Sequence, residues 1–406
     1  MNIAFYISNR INRKTLKGKH SKTMINVAVT SVALGVAVMI IAIAVLLGFQ
    51  KQIKSKITDF NSNIKILPYS FSNNIEESYL DINDVDIEEI NSLSEVKNVT
   101  PYCVKAGIIK TSEQIEGVAV KGINFNDDLF LKNYLDKGEL TNQSDSAASN
   151  NIYISKNIAD KLHIDLDDDI RIYFFVNERI RGRKLKVAGI YHSGLAEVDD
   201  MYVIADVRQI QKLNAWDENL YNGIDIFLTD INKTDEVAEK VITAVKYDSE
   251  IVRIQDLYPE LFDWLKLLDT NVIIIIIVMA IVSSMAMIST FLILVLEKTN
   301  FIGILKSIGA KNKTVINIFL FNALYVLAKG LLYGNIIGIG LCLIQKYFKL
   351  LKLPSETYSI DFVPIDINIL YFLIVNIFAI VICILMLLIP ARVITKISPA
   401  KAVKIE

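Results

Sequence analysis

The sequence predicts a membrane protein with four transmembrane α-helices and a large α+β domain inserted between the first and second helices. Two observations predict this class. The chain of 406 residues is 52% hydrophobic with a mean hydropathy of +0.40, which is too apolar for an ordinary soluble protein. Long uncharged runs also alternate with charged regions, and these runs are long enough to cross a hydrocarbon core of about 30 Å.

The charge distribution divides the chain into successive segments. In order, these are a cytoplasmic amphipathic segment (1–22), a first transmembrane helix (23–50), a periplasmic α+β domain (51–268), a second transmembrane helix (269–296), a short cytoplasmic helix (297–313), a third transmembrane helix (314–345), a periplasmic loop (346–366), a fourth transmembrane helix (367–391) and a cytoplasmic tail (392–406). The domain at 51–268 carries 25 Lys and Arg against 38 Asp and Glu, which gives net −13, whereas the remainder is net +12.

Basic residues in the short segments predict the orientation, because Lys and Arg near a span resist translocation. The first 22 residues carry six Lys and Arg and no acidic residue. The uncharged run that follows has 28 residues, which exceeds the apolar region of a signal peptide, so we expect an uncleaved anchor. The protein is therefore expected in the inner (cytoplasmic) membrane with both termini in the cytoplasm.

Within the large domain, the segment 165–191 predicts two strands joined by a turn near Asn177 to Gly182. Arg179, Arg181 and Arg183 recur at every second residue, so they share one face if the second strand continues that far. Two interpretations remain open for these arginines. They form either a docking patch for a periplasmic partner or, more plainly, a solvated strand face.

The residues that carry chemistry predict no reaction on this chain. His163 and His192 are the only histidines of the domain and are not at metal-ligand spacing, and Asp165 to Asp169 lacks the Gly and terminal Glu of a calcium loop. No GxxxxGK[ST] phosphate loop occurs anywhere in the sequence. We therefore predict no catalytic, cofactor-binding or metal-binding residue.

Two features of the third span predict its environment. Gly330, Gly334 and Gly338 recur every four residues and form a stripe that lets another helix approach closely. Lys329 interrupts the same span, where an ionised amine costs at least a few kcal/mol unless it pairs, snorkels or faces water. For Lys329, a role in lining a polar pathway and a role in structural pairing both remain open.

The segment after the second span, "EKTNFIGILKSIGA" (297–310), has the pattern of an amphipathic helix. We expect Phe301, Leu305 and Ile308 to seat it against the rest of the chain. The opposite face, with Gly303, Ser307 and Ala310, is small and would let a second protein come close. An interfacial helix that only caps the second span would explain the apolar face but not the small one.

Several stretches together resemble the FtsX-like ABC transporter permeases, in particular the lipoprotein-releasing permeases of the LolC/LolE type. The segment "EKTNFIGILKSIGA" is similar to the E-K/R-x-x-x-I-G-I-L-(K/R)-x-x-G-A signature of that family. "LPSETYSIDFVP" and "IPARVITKISPAKAV" resemble the end of the lipoprotein-releasing permeases, and "ALGVAV" with "GFQKQI" is similar to their first span. "GVAVKGI", "ISKNIADKL" and "FDWLKLLDTN" match their periplasmic domain, so the resemblance covers essentially the whole chain.

The resemblance implies a permease subunit whose periplasmic domain has a MacB-like core. Two permease subunits pair, and two separate ATPase subunits bind beneath them and use ATP and Mg, so this chain is not itself an enzyme and binds no cofactor. ATP-driven movement draws triacylated lipoproteins out of the membrane lipid and hands them to a periplasmic carrier. No nucleic acid takes part. The second permease is either another copy of this chain or a paralogue.

By resemblance, residues 297–313 take the position of the coupling helix that contacts the ATPase. The predicted ATPase-coupling residues are Glu297, Phe301, Gly303, Leu305, Ser307, Ile308 and Ala310. The substrate path is implied between the outer halves of the first and second spans. The predicted path residues are Ile40, Ile43, Leu47, Ile273, Ile276 and Met279. A sheltered path is needed because moving acyl chains into water costs about 0.8 kcal/mol per CH₂.

Carrier docking is the candidate role for Arg179, Arg181 and Arg183. However, the hairpin at 173–187 is short and lacks proline, whereas the subunit type that captures the carrier has a longer, proline-containing hook.

Within the same fold, the alternative functions are a MacB-like efflux permease and a cell-division FtsX-like mechanotransmission permease. A rival of another class is a membrane receptor that transports nothing and has no ATPase.

Overall fold

A computed structural model of the protein describes residues 19–69, 78–112, 114–126, 129–141, 148–246, 249–353, 360 and 362–396. The predicted amphipathic segment lies outside these residues except for its last four, and so does most of the cytoplasmic tail. The chain divides into two units. The membrane unit comprises residues 1–51, 264–352 and 362–406, and the soluble unit comprises residues 52–263 and 353–361.

The helices and strands are numbered in chain order. The α-helices of the described residues are α1 (Lys19–Asn61), α2 (Ile87–Ser92), α3 (Leu129–Tyr134), α4 (Lys156–Leu162), α5 (Ala196–Asp199), α6 (Val207–Asn214), α7 (Thr234–Thr243), α8 (Ile254–Leu257), α9 (Pro259–Glu297), α10 (Thr299–Ser307), α11 (Asn312–Phe348) and α12 (Ile369–Lys396). The strands are β1 (Ile64–Pro68), β2 (Leu80–Asp81), β3 (Val96–Lys110), β4 (Ile115–Ile123), β5 (Leu135–Gly138), β6 (Asn151–Ser155), β7 (Asp169–Val176), β8 (Arg179–Tyr191), β9 (Tyr202–Asp206), β10 (Leu220–Tyr221), β11 (Gly223–Leu228) and β12 (Ser249–Arg253).

Among the residues that the structure describes, the helices α1, α9, α11 and α12 are long and apolar enough to cross a membrane, as the prediction of four spans requires. Their inward side chains form one hydrophobic cluster that includes Met39, Phe291, Phe319 and Leu387. The outward faces of α9 and α12 stay apolar and exposed, as at Ile274 and Ile374. Exposed apolar faces of this kind suit contact with lipid or with further membrane helices.

The soluble unit is α+β, as predicted, and is built on a ten-stranded sheet in the order β12-β1-β11-β3-β4-β9-β6-β8-β5. The strand β7 pairs with both β3 and β8, so that β3, β4, β9, β6, β8 and β7 close into a ring. Alternate side chains of these strands, such as Ile109, Ile172 and Leu185, join one buried cluster with residues of α4 and α6. The closed ring gives this part of the unit its own core.

The predicted hairpin is present as β7 and β8. Its turn is formed by Asn177 and Glu178 alone, at φ of 48° and 60°, which are the left-handed values that a two-residue turn between twisted strands requires. Because β8 begins at Arg179, the three arginines lie within the strand. The expectation that they share one face is therefore confirmed, and this is also the face of buried Leu185.

Candidate functional sites

The segment predicted to couple to an ATPase forms α10, which lies between the second and third spans along the chain. Ile302 is fully buried in the cluster of the membrane unit, and Leu305 and Ala310 pack against the same cluster. Ile304 is 52% exposed and Ile308 79% exposed, with Ser307 also exposed between them. The helix thus presents Ile304, Ser307 and Ile308 to its surroundings, and we call this surface the α10 outer face.

The predicted rotation of this helix was wrong at three residues. Gly303 is buried and Ala310 packs on the core, although both were expected on the outward small face. Ile308 was expected to seat the helix but is the most exposed residue of the α10 outer face. Ile308 keeps the helical hydrogen bond from its N–H to the carbonyl of Ile304, so these two residues share one face. The helix is buried through Ile302 and Gly303 instead, which turns part of the predicted apolar face outward.

The remaining predicted coupling residues are half-buried or exposed. Phe301 and Leu305 are half-buried, which agrees with a seating role for these two side chains. Glu297, the last residue of α9, is exposed and its carboxylate lies 3.2 Å from Lys298 Nζ. Ser307 is exposed, and its Oγ donates to the carbonyl of Ile304.

The first and second spans contact each other at two levels. A Cβ added to Gly35 would lie 2.0 Å from Ser283 Oγ, so α1 and α9 are closely apposed there. Towards the C-terminal end of α1 and the N-terminal end of α9, Gln50 Nε2 donates to Asp269 Oδ1 at 2.8 Å. Since residue numbers rise in α1 as they fall in α9, the two helices run antiparallel between these contacts.

The six predicted path residues fall between these two levels, but their environments differ. Ile40 is fully buried, and its side chain faces Gly338 of α11. Ile43 is buried, whereas Leu47, Ile276 and Met279 are half-buried against the same hydrophobic cluster. Ile273 is 56% exposed. The structure thus brings five of the six into one apolar cluster and turns Ile273 away from it.

The glycine stripe of the third span lies against α1. A Cβ on Gly330 would meet Val32, a Cβ on Gly334 would lie 2.8 Å from the carbonyl oxygen of Ala33, and a Cβ on Gly338 would meet Ala37 and Ile40. All three glycines are buried. The stripe therefore allows the backbones of α1 and α11 to approach closely.

Three polar residues inside the spans, Lys329, Asn335 and Asn376, have identifiable partners. Lys329 Nζ lies 4.6 Å from the centroid of the Tyr325 ring one turn away, which is a cation–π contact. Asn335 and Asn376 exchange two hydrogen bonds, of 2.7 and 2.9 Å, and so link α11 to α12. This amide pair was not predicted, although asparagines in both apolar spans could have indicated it.

The hairpin arginines have unequal surroundings. Arg179 and Arg181 are exposed and Arg183 is half-buried. Arg181 Nη1 donates at 3.4 Å to the carbonyl of Leu213, near the C-terminal end of α6. On the opposite face of the hairpin, Phe175 and Ile180 are paired across the two strands and are both exposed.

Sequence reasoning also missed a buried charge cluster in the soluble unit. We call it the Asp225 cluster, and it comprises Lys65 of β1, Lys121 of β4 and Asp225 of β11. Lys65 Nζ lies 2.6 Å from Asp225 Oδ1, and Lys121 Nζ lies 2.8 Å from Oδ2. The ring centroid of Tyr102 is 4.8 Å from Lys65 Nζ. In an alternating strand a lysine is normally taken to point outward, so no sequence signal marked these residues.

Burial and the neighbouring charges shift the pKa values of Lys65 and Asp225. Burial lowers the pKa of Lys65 to about 8, and the attraction of Asp225 offsets only part of that effect. Burial alone would raise the pKa of Asp225, but the two nearby ammonium groups outweigh it, so that its pKa lies below the ordinary value. The carboxylate is therefore ionised at neutral pH.

Comparison with protein families finds two matches along the chain. Residues 27–244 match the family described as MacB-like periplasmic core domain. Residues 273–399 match the family described as FtsX-like permease C-terminal. The first match covers most of α1 and most of the soluble unit. The second begins within α9 and covers α10, α11 and α12.

Three curated proteins are similar to the chain over nearly its full length. The lipoprotein-releasing system transmembrane protein LolC of Buchnera aphidicola is 24% identical over 399 residues, which cover 95% of this chain and 94% of that protein. The LolC protein of Neisseria meningitidis serogroup B is 22% identical, with coverage of 95% and 94%. The lipoprotein-releasing system transmembrane protein LolE of Haemophilus influenzae is 20% identical, with coverage of 99% of each chain.

Proposed function

Because the chain belongs to the family of proteins that combine a MacB-like periplasmic core domain with an FtsX-like permease C-terminal region, we propose that it is the permease subunit of an ABC transporter that extracts lipoproteins from the inner membrane. The names of the similar full-length proteins, lipoprotein-releasing LolC and LolE, support this substrate class. In this proposal two separate ATPase subunits supply the energy from ATP and Mg. A second permease subunit completes the membrane part.

The α10 outer face is the observation that carries this proposal. Ile304 and Ile308 lie one turn apart and are exposed, next to exposed Ser307. Together they form a small apolar protrusion on the segment that connects the second and third spans. Burying both side chains against a partner would contribute a few kcal/mol, at roughly 1.5–3 kcal/mol for each large apolar side chain. The α10 outer face is therefore suited to bind in a groove on a cytoplasmic ATPase. Ile302 and Leu305 on the other side would carry the resulting force into the membrane helices.

Replacement of Ile304 and Ile308 by Asp tests this contact. The double variant should lose co-purification of the ATPase subunit while the permease itself stays folded, because both side chains are exposed in the structure. Replacement of Phe175 and Ile180 by Asp is the matched control, since these two are also exposed apolar residues but belong to the soluble unit. An ATPase that co-purifies equally with the Ile304/Ile308 variant would contradict the assignment.

The apolar region between the outer halves of α1 and α9 is the proposed path for the acyl chains. Ile43, Leu47, Ile276 and Met279 already share one apolar cluster there, so separation of the two helices would expose a continuous apolar surface. Such a surface would offset the cost of removing acyl chains from the bilayer. Ile40 is enclosed by α11 and would become accessible only if α1 also moved away from Gly338.

Transfer to a periplasmic carrier would complete the proposed cycle, and the hairpin arginines are its candidate docking site. Arg181 has a bond within the chain, so Arg179 and Arg183 are better placed to attract an acidic carrier surface. Replacement of Arg179, Arg181 and Arg183 by Ser should weaken carrier binding and make the residual binding less sensitive to salt. Unchanged carrier affinity in a pull-down or titration would reject this role.

A further inference from the structure

The end of α1 is fixed to the sheet of the soluble unit through the Asp225 cluster. Lys121 Nζ donates a hydrogen bond of 2.9 Å to the carbonyl of Phe60, one of the carbonyls that a helix end leaves without a helical partner. Directly after the helix, Ser62 Oγ donates at 2.9 Å to Asp225 Oδ1. Two members of the cluster thus contact the last residues of α1 and the residue that follows them.

The connection between α1 and β1 is a single sharp turn. Ser62 has a φ of +59°, a left-handed value that is uncommon for residues other than glycine. The next residue, Asn63, already bonds to the sheet, because its backbone N–H donates to the carbonyl of Ile226. The cluster therefore acts where helical geometry changes to strand geometry within about two residues.

Aromatic packing holds the same point from another side. The Phe60 ring lies with its centroid 5.0 Å from that of Phe130 and 4.8 Å from that of Tyr202, in edge-to-face arrangements. Lys121 Nζ also lies 4.6 Å from the centroid of the Phe60 ring. Both the ring and the carbonyl of Phe60 are consequently fixed with respect to the sheet.

Stability alone is a weak reason for charges at this position. Removing three charged groups from water has a large desolvation cost, and well-packed apolar residues of similar volume are often as stabilising or more so. Apolar side chains, however, could neither accept a hydrogen bond from Ser62 nor donate one to the Phe60 carbonyl. What the charges add is therefore a fixed direction and register for the helix end.

We propose that Lys121 and Asp225 are positioning residues for transport: they lock the end of α1 to the sheet, so that displacement of this helix moves the soluble unit rather than deforming the α1–β1 turn. The inference rests on the proposed function, because it assigns these residues to the step that transmits ATP-driven movement. Lys65 bonds to Asp225 but to neither Phe60 nor Ser62, and it therefore provides a control of equal burial.

The test compares Lys121→Met with Lys65→Met and Lys121→Arg in the assembled transporter. Each variant is reconstituted with its ATPase in proteoliposomes that contain a fluorescently labelled triacylated lipoprotein, with serum albumin outside as the acceptor. ATP hydrolysis and ATP-dependent release are measured together. Lys121→Met should keep its hydrolysis rate but release about ten-fold less lipoprotein per ATP, the factor expected for one charge-assisted hydrogen bond. Lys65→Met should keep the wild-type ratio, and Lys121→Arg should restore most of it.

A wild-type ratio of release to hydrolysis in Lys121→Met would overturn the inference, and so would an equal loss in Lys65→Met. If Lys121→Met does not fold, Ser62→Ala removes the hydroxyl that bonds to Asp225 and that also contacts the carbonyls of Asn61 and Ile64, and it should lower the same ratio by a smaller factor, of about three. An unchanged ratio in Ser62→Ala then counts against the inference. Failure of the proposed function is distinguishable, because the wild-type complex would then hydrolyse ATP without releasing the probe.

Discussion

Lys65 shows how a single buried charge links the protonation and stability of the soluble unit. Its ammonium group lies in a cluster that holds two lysines and only one carboxylate, so one positive charge remains uncompensated among these three residues. Burial is the largest influence on it and lowers its pKa to about 8. An unfolded chain would hold the same proton up to a pH of about 10.4. The folded protein therefore loses this proton first as the pH rises.

The free energy of unfolding should consequently rise between about pH 8 and pH 10. In this window the unfolded state binds a proton that the folded state does not, and linkage then requires stability to increase with pH, by up to about 3 kcal/mol. Below pH 8 both states are protonated, so the contribution of Lys65 no longer changes. Lys65→Met should remove the increase and be more stable than the wild type at pH 7.

Urea unfolding of the detergent-solubilised protein can measure this effect. Trp216 packs against the buried cluster inside the closed ring of strands. In a Trp264→Phe background, its fluorescence therefore reports on the soluble unit. The difference between the wild type and Lys65→Met cancels the titration of other groups. A difference that stays constant from pH 7 to pH 10 would contradict the depressed pKa.

At the scale of elements, the close packing of α1 against α11 depends on glycines at particular positions of α11. Gly334 has the Ala33 carbonyl oxygen 2.8 Å from where its Cβ would be, and that oxygen belongs to the backbone. Gly340 lies in the same helix, but apart from the adjoining residues and backbone of that helix no atom lies within 4 Å of the corresponding point. The two glycines therefore form a matched pair in which only one is at the contact.

Gly334→Ala should destabilise the membrane unit by about 1–3 kcal/mol, the usual cost of overpacking. Gly340→Ala should be neutral or slightly stabilising, because alanine favours a helix over glycine by up to about 1 kcal/mol. Thermal unfolding in detergent compares the two variants with the wild type. Equal midpoints for Gly334→Ala and Gly340→Ala would show that the stripe does not determine the packing.

Helices and strands were predictable from sequence where a local residue pattern marks them. The elements against which they pack were not predictable. Spacing every four residues identified the glycine face, but nothing in it indicated that α1 would be the neighbour. Amphipathic periodicity identified α10, but a wheel does not show which side the neighbouring helices cover, so the exposure of Ile304 and Ile308 was missed. The Asp225 cluster joins residues as far apart as 65 and 225, and such long-range pairing leaves no local pattern.

At the scale of the whole molecule, the charge distribution was sufficient to predict four spans and one inserted α+β domain. The uncharged runs identify the spans directly, since a hydrocarbon core sets their minimum length. Closure of six strands into a ring could not be predicted in this way, because it depends on β7 pairing with β3 across more than 60 residues. The function likewise required the full-length similarity to named permeases in addition to the site geometry.

The central claim is that this chain converts ATP hydrolysis by a separate subunit into lipoprotein release, through the α10 outer face. The most direct test is ATP-dependent release of a labelled triacylated lipoprotein from proteoliposomes that contain the chain with its ATPase and permease partner. Release should require hydrolysable ATP and should be abolished by the Ile304→Asp and Ile308→Asp substitutions. Undiminished ATP hydrolysis by the wild-type complex without any release, or release that persists in the double variant, would contradict the account.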